Sequence, residues 1–157
     1  MCYNVCSAEK WQKEAKGGEV MEFSVNIDAK GRLNFPSKLR EELGETFYVT
    51  RNLGAKCLKV YSAQGWKSLL EKINAAPETE LAMLRRFLIG GKQKVEPDKQ
   101  GRFVVSQALR EHAGIEAETE VAVLDLEGYA EIWNKAEFST YTGDEAAMLE
   151  LAAKYGV

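Results

Sequence analysis

One stretch of the chain occurs twice. Sliding the sequence by 70 residues places Val25, Asp28, Gly31, Arg32, Leu39, Arg40, Glu41 and Gly44 on Val95, Asp98, Gly101, Arg102, Leu109, Arg110, Glu111 and Gly114. Eight identities fall in the 23-residue window from Glu22 to Gly44, where composition alone supplies about one or two, so the chain holds two copies of one unit. The match continues with Phe47 and Val49 on Val121 and Val123, then with Val60, Tyr61 and Trp66 on Ile132, Trp133 and Phe138. The offset drifts there from 74 to 72. Connections accept insertions more readily than the elements they join, and the drift is of that kind.

Each copy reads as the same series of elements. Phe23, Val25 and Ile27 alternate with polar neighbours as on a half-buried strand. Asp28-Ala29-Lys30-Gly31 is a turn, its Asp able to accept from backbone N–H groups beyond it and its Gly able to take positive φ. Arg32 to Phe35 is extended again. Pro36, at a first helical position, and Gly44, as a stop, bracket a helix from Ser37 to Leu43. Two β-rich runs follow, Thr46 to Thr50 and Cys57 to Tyr61. The second copy repeats these as Gln93 to Glu96, Arg102 to Val105, the helix Gln107 to Ala113, Glu120 to Leu124 and Tyr129 to Trp133, with Gly114 and Gly128 as punctuation.

Helical material lies between the copies: Trp66, Leu69, Leu70 and Ile73 recur at i, i+3, i+4 and i+7, and Leu81, Leu84 and Leu88 form a similar stripe after Pro77. Both stripes are expected to be packing surfaces. The domain layout is a flexible extension over 1–20, a first module over 21–75, a helical connection over 76–91, a second module over 92–141 and a helical tail over 142–157. Met21 reads as the more usual start of such a chain.

Composition narrows the function. At 157 residues the chain is too short for a large multidomain enzyme, and 45% hydrophobic with 29% charged residues is ordinary for a folded protein. Lys and Arg total 21 against 24 Asp and Glu, a net charge of −3, so any nucleic-acid site must be a local patch rather than a broadly basic surface. No apolar run approaches the roughly 20 residues that span a bilayer, and no secretory signal is evident, which points to the cytoplasm. Cys2, Cys6 and Cys57 have no disulfide-framework spacing, and with His112 far away Cys2 and Cys6 read as free thiols rather than metal ligands. No nucleophile, metal or phosphate-loop constellation is present, so neither an enzyme nor a cofactor or small-molecule substrate is expected.

The repeated motif is Asp-x-x-x-Arg with Gly before the Arg: Asp28, Gly31 and Arg32, then Asp98, Gly101 and Arg102, with Lys30 or Lys99 adding charge and Leu-Arg-Glu in register downstream. Together with Asn34-Phe35-Pro36, Val49-Thr50-Arg51, Arg85-Arg86-Phe87-Leu88 and Glu131-Ile132-Trp133, these residues resemble the MraZ family of transcriptional regulators over roughly 21–141. The resemblance implies an α+β fold of two AbrB-type swapped-hairpin β-barrel modules, with helices between and after them. It implies a sequence-specific DNA-binding transcriptional regulator of a division and cell-wall gene cluster. The partner would be double-stranded DNA carrying short G-rich promoter repeats, bound by a nucleoid-associated ring homo-oligomer.

On that reading Arg32 and Arg102 are the base-reading residues, because arginine can meet guanine O6 and N7 bidentately in the major groove, and Lys30 and Lys99 position phosphates. Asp28, Gly31, Asp98 and Gly101 organise the turns. The bland reading of Arg32 and Arg102 is a salt bridge that pins each hairpin. Arg40 and Arg110 are secondary candidates, equally suited to ion pairs with nearby acids. Arg85 and Arg86 suit pairing with Glu78 and Glu80 or an oligomer contact. Trp66, Trp133, Tyr61 and Phe138 belong to the core, and His112 reads as a lone helix-surface imidazole.

Three positions depart from the family pattern: Ser106 replaces a Pro, Pro97 stands where an apolar strand residue is more typical, and Asn52 replaces a Gly, as a residue that tolerates positive φ. Pro97 implies a second module more structural than DNA-reading. The rival class is an antitoxin-like protein-interaction module with weak or no DNA binding.

Overall fold

The computed structural model describes residues 21–141 and 143–157, so Cys2, Cys6 and the 1–20 extension lie outside the described residues. The first repeat supplies β1 (Glu22–Asn26), β2 (Arg32–Asn34), α1 (Ser37–Leu43), β3 (Phe47–Arg51) and β4 (Leu58–Ser62). Helices α2 (Ala63–Ala75) and α3 (Glu78–Leu88) lead to the second repeat, β5 (Gln93–Val95), β6 (Arg102–Val104), α4 (Gln107–Ala113), β7 (Glu120–Asp125) and β8 (Ala130–Asn134). Helices α5 (Lys135–Thr140) and α6 (Glu145–Tyr155) complete the described chain.

The short helices α1 and α4 begin and end where their flanking residues dictate. Pro36 is the N-cap of α1 rather than its first helical residue, held extended at φ −55°, ψ 133°. At the equivalent position Ser106 does what Pro36 cannot: its Oγ accepts from the Leu109 N–H at 3.3 Å, satisfying one of the free donors of the first turn. Gly114 closes α4 in the left-handed conformation that a side chain disfavours.

The strands pair across the repeats, all antiparallel. One sheet has six strands in the order β1-β7-β8-β4-β3-β5, and β2 with β6 forms a separate two-stranded ribbon. The pairs β1·β7, β3·β5, β4·β8 and β2·β6 each join one repeat to the other. Register carries an internal twofold: Val25 faces Val121 while the equivalent Val95 faces Phe47, and Leu33 faces Phe103 where the axis crosses the ribbon.

This mixed helix and antiparallel-sheet architecture bears out the α+β reading. No closed barrel is seen among the described residues: β1 and β5 end the sheet, and each leads toward an Asp-x-x-Gly loop instead of pairing with the other.

The alternation read from sequence faces the core. Phe35 contacts Phe47 at 5.1 Å between centroids, and Phe103 approaches both edge-on at 6.0 and 5.6 Å, so one aromatic cluster is built from both repeats. Leu33, Leu39, Val49, Val60, Val105, Leu109 and Ile132 are buried around it. Trp66 of α2 stacks on Tyr48 and is buried, as is Ile73, whereas Leu69 and Leu70 are half-buried. In α3 only Leu88 is buried: Leu81 and Leu84 are half-buried and Met83 is 79% exposed. The α3 stripe is thus only partly a packing surface within the chain. No helix among the described residues is long and apolar enough to cross a membrane.

Candidate nucleic-acid interface

Both turns adopt one geometry. The Asp28 Oδ1 accepts from the backbone N–H groups of Lys30 and Arg32, each at 2.9 Å, and the Gly31 N–H returns to the Asp28 carbonyl at 3.0 Å. In the second turn Asp98 Oδ1 accepts from the N–H groups of Gln100 and Arg102, again at 2.9 Å, and Gly101 N–H returns to Asp98 O. Gly31 and Gly101 have φ of +79° and +83°, a conformation that costs a side chain energy, which is why glycine stands there. Pro97 leaves this geometry intact, because β5 has already ended at Val95 and the prolyl nitrogen owes the ladder no hydrogen.

The arginine of each motif is turned back on its own aspartate. Arg32 Nε donates to Asp28 Oδ2 at 2.6 Å and Arg102 Nε to Asp98 Oδ2 at 3.1 Å. The pinning salt bridge is therefore present in both repeats. It engages one of the guanidinium's five N–H groups, and the side chains remain 37% and 38% exposed. The backbone N–H of the arginine, more than any other neighbour, holds each carboxyl below its usual range.

The two arginines share one surface. In the ribbon Arg32 faces Val104 and Arg102 faces Asn34, so all four project to the side opposite Leu33 and Phe103. Leu33 and Phe103 are buried, while Asn34 and Val104 are exposed. Arg32 and Arg102 thus occupy diagonal positions on the outer face, about 7–8 Å apart by sheet geometry. Lys30 and Lys99 are exposed on the adjoining turns. Sequence alone could not show this convergence, since 70 residues separate the two arginines.

Arg40 and Arg110, ranked second from sequence, lie between the repeats. Arg40 Nε donates to the Phe35 carbonyl and Arg110 Nε to that of Val105, each at 3.1 Å. The available signal was their place in the repeat, eight residues after each turn arginine.

Other expectations change. Arg85 donates to Asn74 Oδ1 at 2.7 Å, with no ion pair to Glu78 or Glu80. His112 is only partly a surface imidazole: the residue is half-buried, its ring meets Phe87 edge-on at 5.8 Å and its Nε2 is buried without a hydrogen-bond partner. Positive φ after β3 falls on Gly54, not on Asn52, whose amide instead donates to Glu131 and Cys57. Among the described residues no group of three or more His, Cys, Asp or Glu is placed to hold a metal ion.

Fold and site together define a duplicated α+β protein in which interlocked repeats present two arginine-bearing turns on one ribbon. Comparison with known proteins agrees with that class. The model of the family described as "MraZ protein, putative antitoxin-like" matches twice, over 20–86 and 88–154. A protein named transcriptional regulator MraZ from Acetivibrio thermocellus is 39% identical over 135 residues, covering 85% of this chain and 92% of its own length. Its namesakes from Heliobacterium modesticaldum and Finegoldia magna are 40% and 37% identical, with 85% and 81% of this chain and 92% and 88% of theirs covered. The chain belongs to the MraZ family.

Proposed function

We propose that the protein is a DNA-binding transcription regulator that lays the outer face of the β2–β6 ribbon against the major groove. A two-stranded ribbon fits that groove, and arginine reads guanine there. The observation that carries this reading is the placement of Arg32 and Arg102 on one outward face, spaced by roughly two base-pair steps of about 3.4 Å. Each aspartate holds its arginine by Nε, which orients the planar Nη edge as a fork for O6 and N7. Lys30 and Lys99 neutralise flanking phosphates. The equal geometry of the turns favours DNA contact by both repeats.

The shared names of the relatives support a regulator of transcription. Its targets are short G-rich repeats before a division and cell-wall gene cluster, in the cytoplasmic nucleoid. A ring homo-oligomer of swapped-hairpin modules would repeat the arginine pair along one face, reconciling DNA binding with a net charge of −3 through effective concentration.

The test is selection of bound fragments from random DNA, followed by gel shifts with Arg32→Ala and Arg102→Ala. Recovery of spaced G-rich boxes, with salt-sensitive binding that each substitution weakens while oligomer mass is unchanged, is the expected result. An absence of any salt-sensitive shift in the unaltered protein overturns the reading in favour of a protein-interaction module.

A further inference from the structure

We infer that Arg40 and Arg110 are positioning residues acting in trans between the repeats: each lays its guanidinium on the turn glycine of the other repeat and fixes the orientation of that turn's Asp-Arg fingertip. The inference rests on the DNA-reading role of those turns. A methyl group added to Gly31 would sit 3.2 Å from Arg110 Cζ, and one added to Gly101 would collide with the Arg40 guanidinium. Hydrogen at these positions is what lets the flat cation approach the backbone.

The contact belongs to a closed circuit. Arg40 Nε donates to the Phe35 carbonyl, and the Phe35 N–H donates to the Gly101 carbonyl at 2.9 Å. One arginine of the first repeat therefore holds both sides of the joint to the second turn. The mirror circuit runs from Arg110 through Val105, whose N–H donates to the Gly31 carbonyl at 3.0 Å. A lysine would keep the charge but has neither the plane nor the fixed fork of donors.

Phosphate binding by Arg40 is the competing account, and the two differ in which partner they couple to. In a double-mutant cycle read by DNA affinity at fixed salt, Arg40→Ala should weaken binding about tenfold, and Arg102→Ala should add little in that background. Arg32→Ala should retain its full effect there. Without DNA, amide hydrogen exchange in Arg40→Ala should speed at Gln100 and Arg102 and stay unchanged at Lys30 and Arg32. The reciprocal Arg110→Ala should do the reverse, giving a second reading if one variant folds poorly.

Rescue of binding by Arg40→Lys, or equal loosening of both turns, overturns the clamp. If Arg32→Ala and Arg102→Ala leave DNA affinity unchanged while exchange still shows the crossed pattern, the DNA reading fails and the clamp stands.

Discussion

The backbone N–H of Phe35 donates to the carbonyl of Gly101 at 2.9 Å, joining the end of one repeat's ribbon strand to the turn of the other. With β1, β2, β3 and β4 all paired across the repeats, neither half can satisfy its own strands alone. The whole chain should unfold in urea as one cooperative transition. A chain of residues 21–91 should be unfolded as a monomer and gain structure only with rising concentration, as circular dichroism with sedimentation would show. A folded monomeric half would contradict the interlocking.

Acid should loosen both turns. The Asp28 and Asp98 carboxyls are held below their usual range, chiefly by the arginine N–H, so protonation opposes folding. Their contribution is complete above the unfolded value of about 4 and is lost as pH falls through the lower folded value. Thermal midpoints should drop as pH falls below about 4, and Asp28→Asn with Asp98→Asn should flatten that part of the slope while lowering the midpoint at pH 7.

Glu131 joins the repeats through a polar network, accepting from Asn52 Nδ2 at 2.8 Å and from Trp133 Nε1 at 3.0 Å. Glu131→Ala leaves the indole and the amide without this acceptor, a loss of about 1–3 kcal/mol measurable from urea midpoints. The neighbouring Cys57 thiol is pushed up to about 12 by burial and should resist alkylation at neutral pH until the protein unfolds.

The His112 imidazole is held below its usual range first by burial and then by the nearby Arg51 and Lys56 charges, which the Asn52 backbone offsets only in part. A depressed value gives stability that is present above about pH 6.5 and is lost as pH falls through the folded value. His112→Phe should remove the decline in thermal midpoint as pH falls below about 6.5. An unchanged decline would assign it to other groups.

Local order was legible where single residues impose it. The helices Ser37–Leu43 and Gln107–Ala113 have the bounds expected from Pro36, Gly44 and Gly114, because caps and stops act within one turn of the backbone. The Asp-x-x-Gly-Arg turn was readable for the same reason: its hydrogen bonds span four residues or fewer. The sheet ends, the covering of the His112 Nε2 and the half-covered α3 stripe were not readable, since each depends on what packs from elsewhere in the chain.

The sequence by itself determined that this protein is one unit written twice, with an aspartate, a glycine and an arginine spaced to make the same turn in each copy. Tertiary structure alone decided that those copies interlock, that Arg32 and Arg102 meet on one ribbon face, and that Arg40 reaches Gly101. Repetition and turn chemistry are local, and one chain shows them directly. Which strand pairs with which is set by burial of a shared core, a property of contacts between residues some 70 positions apart.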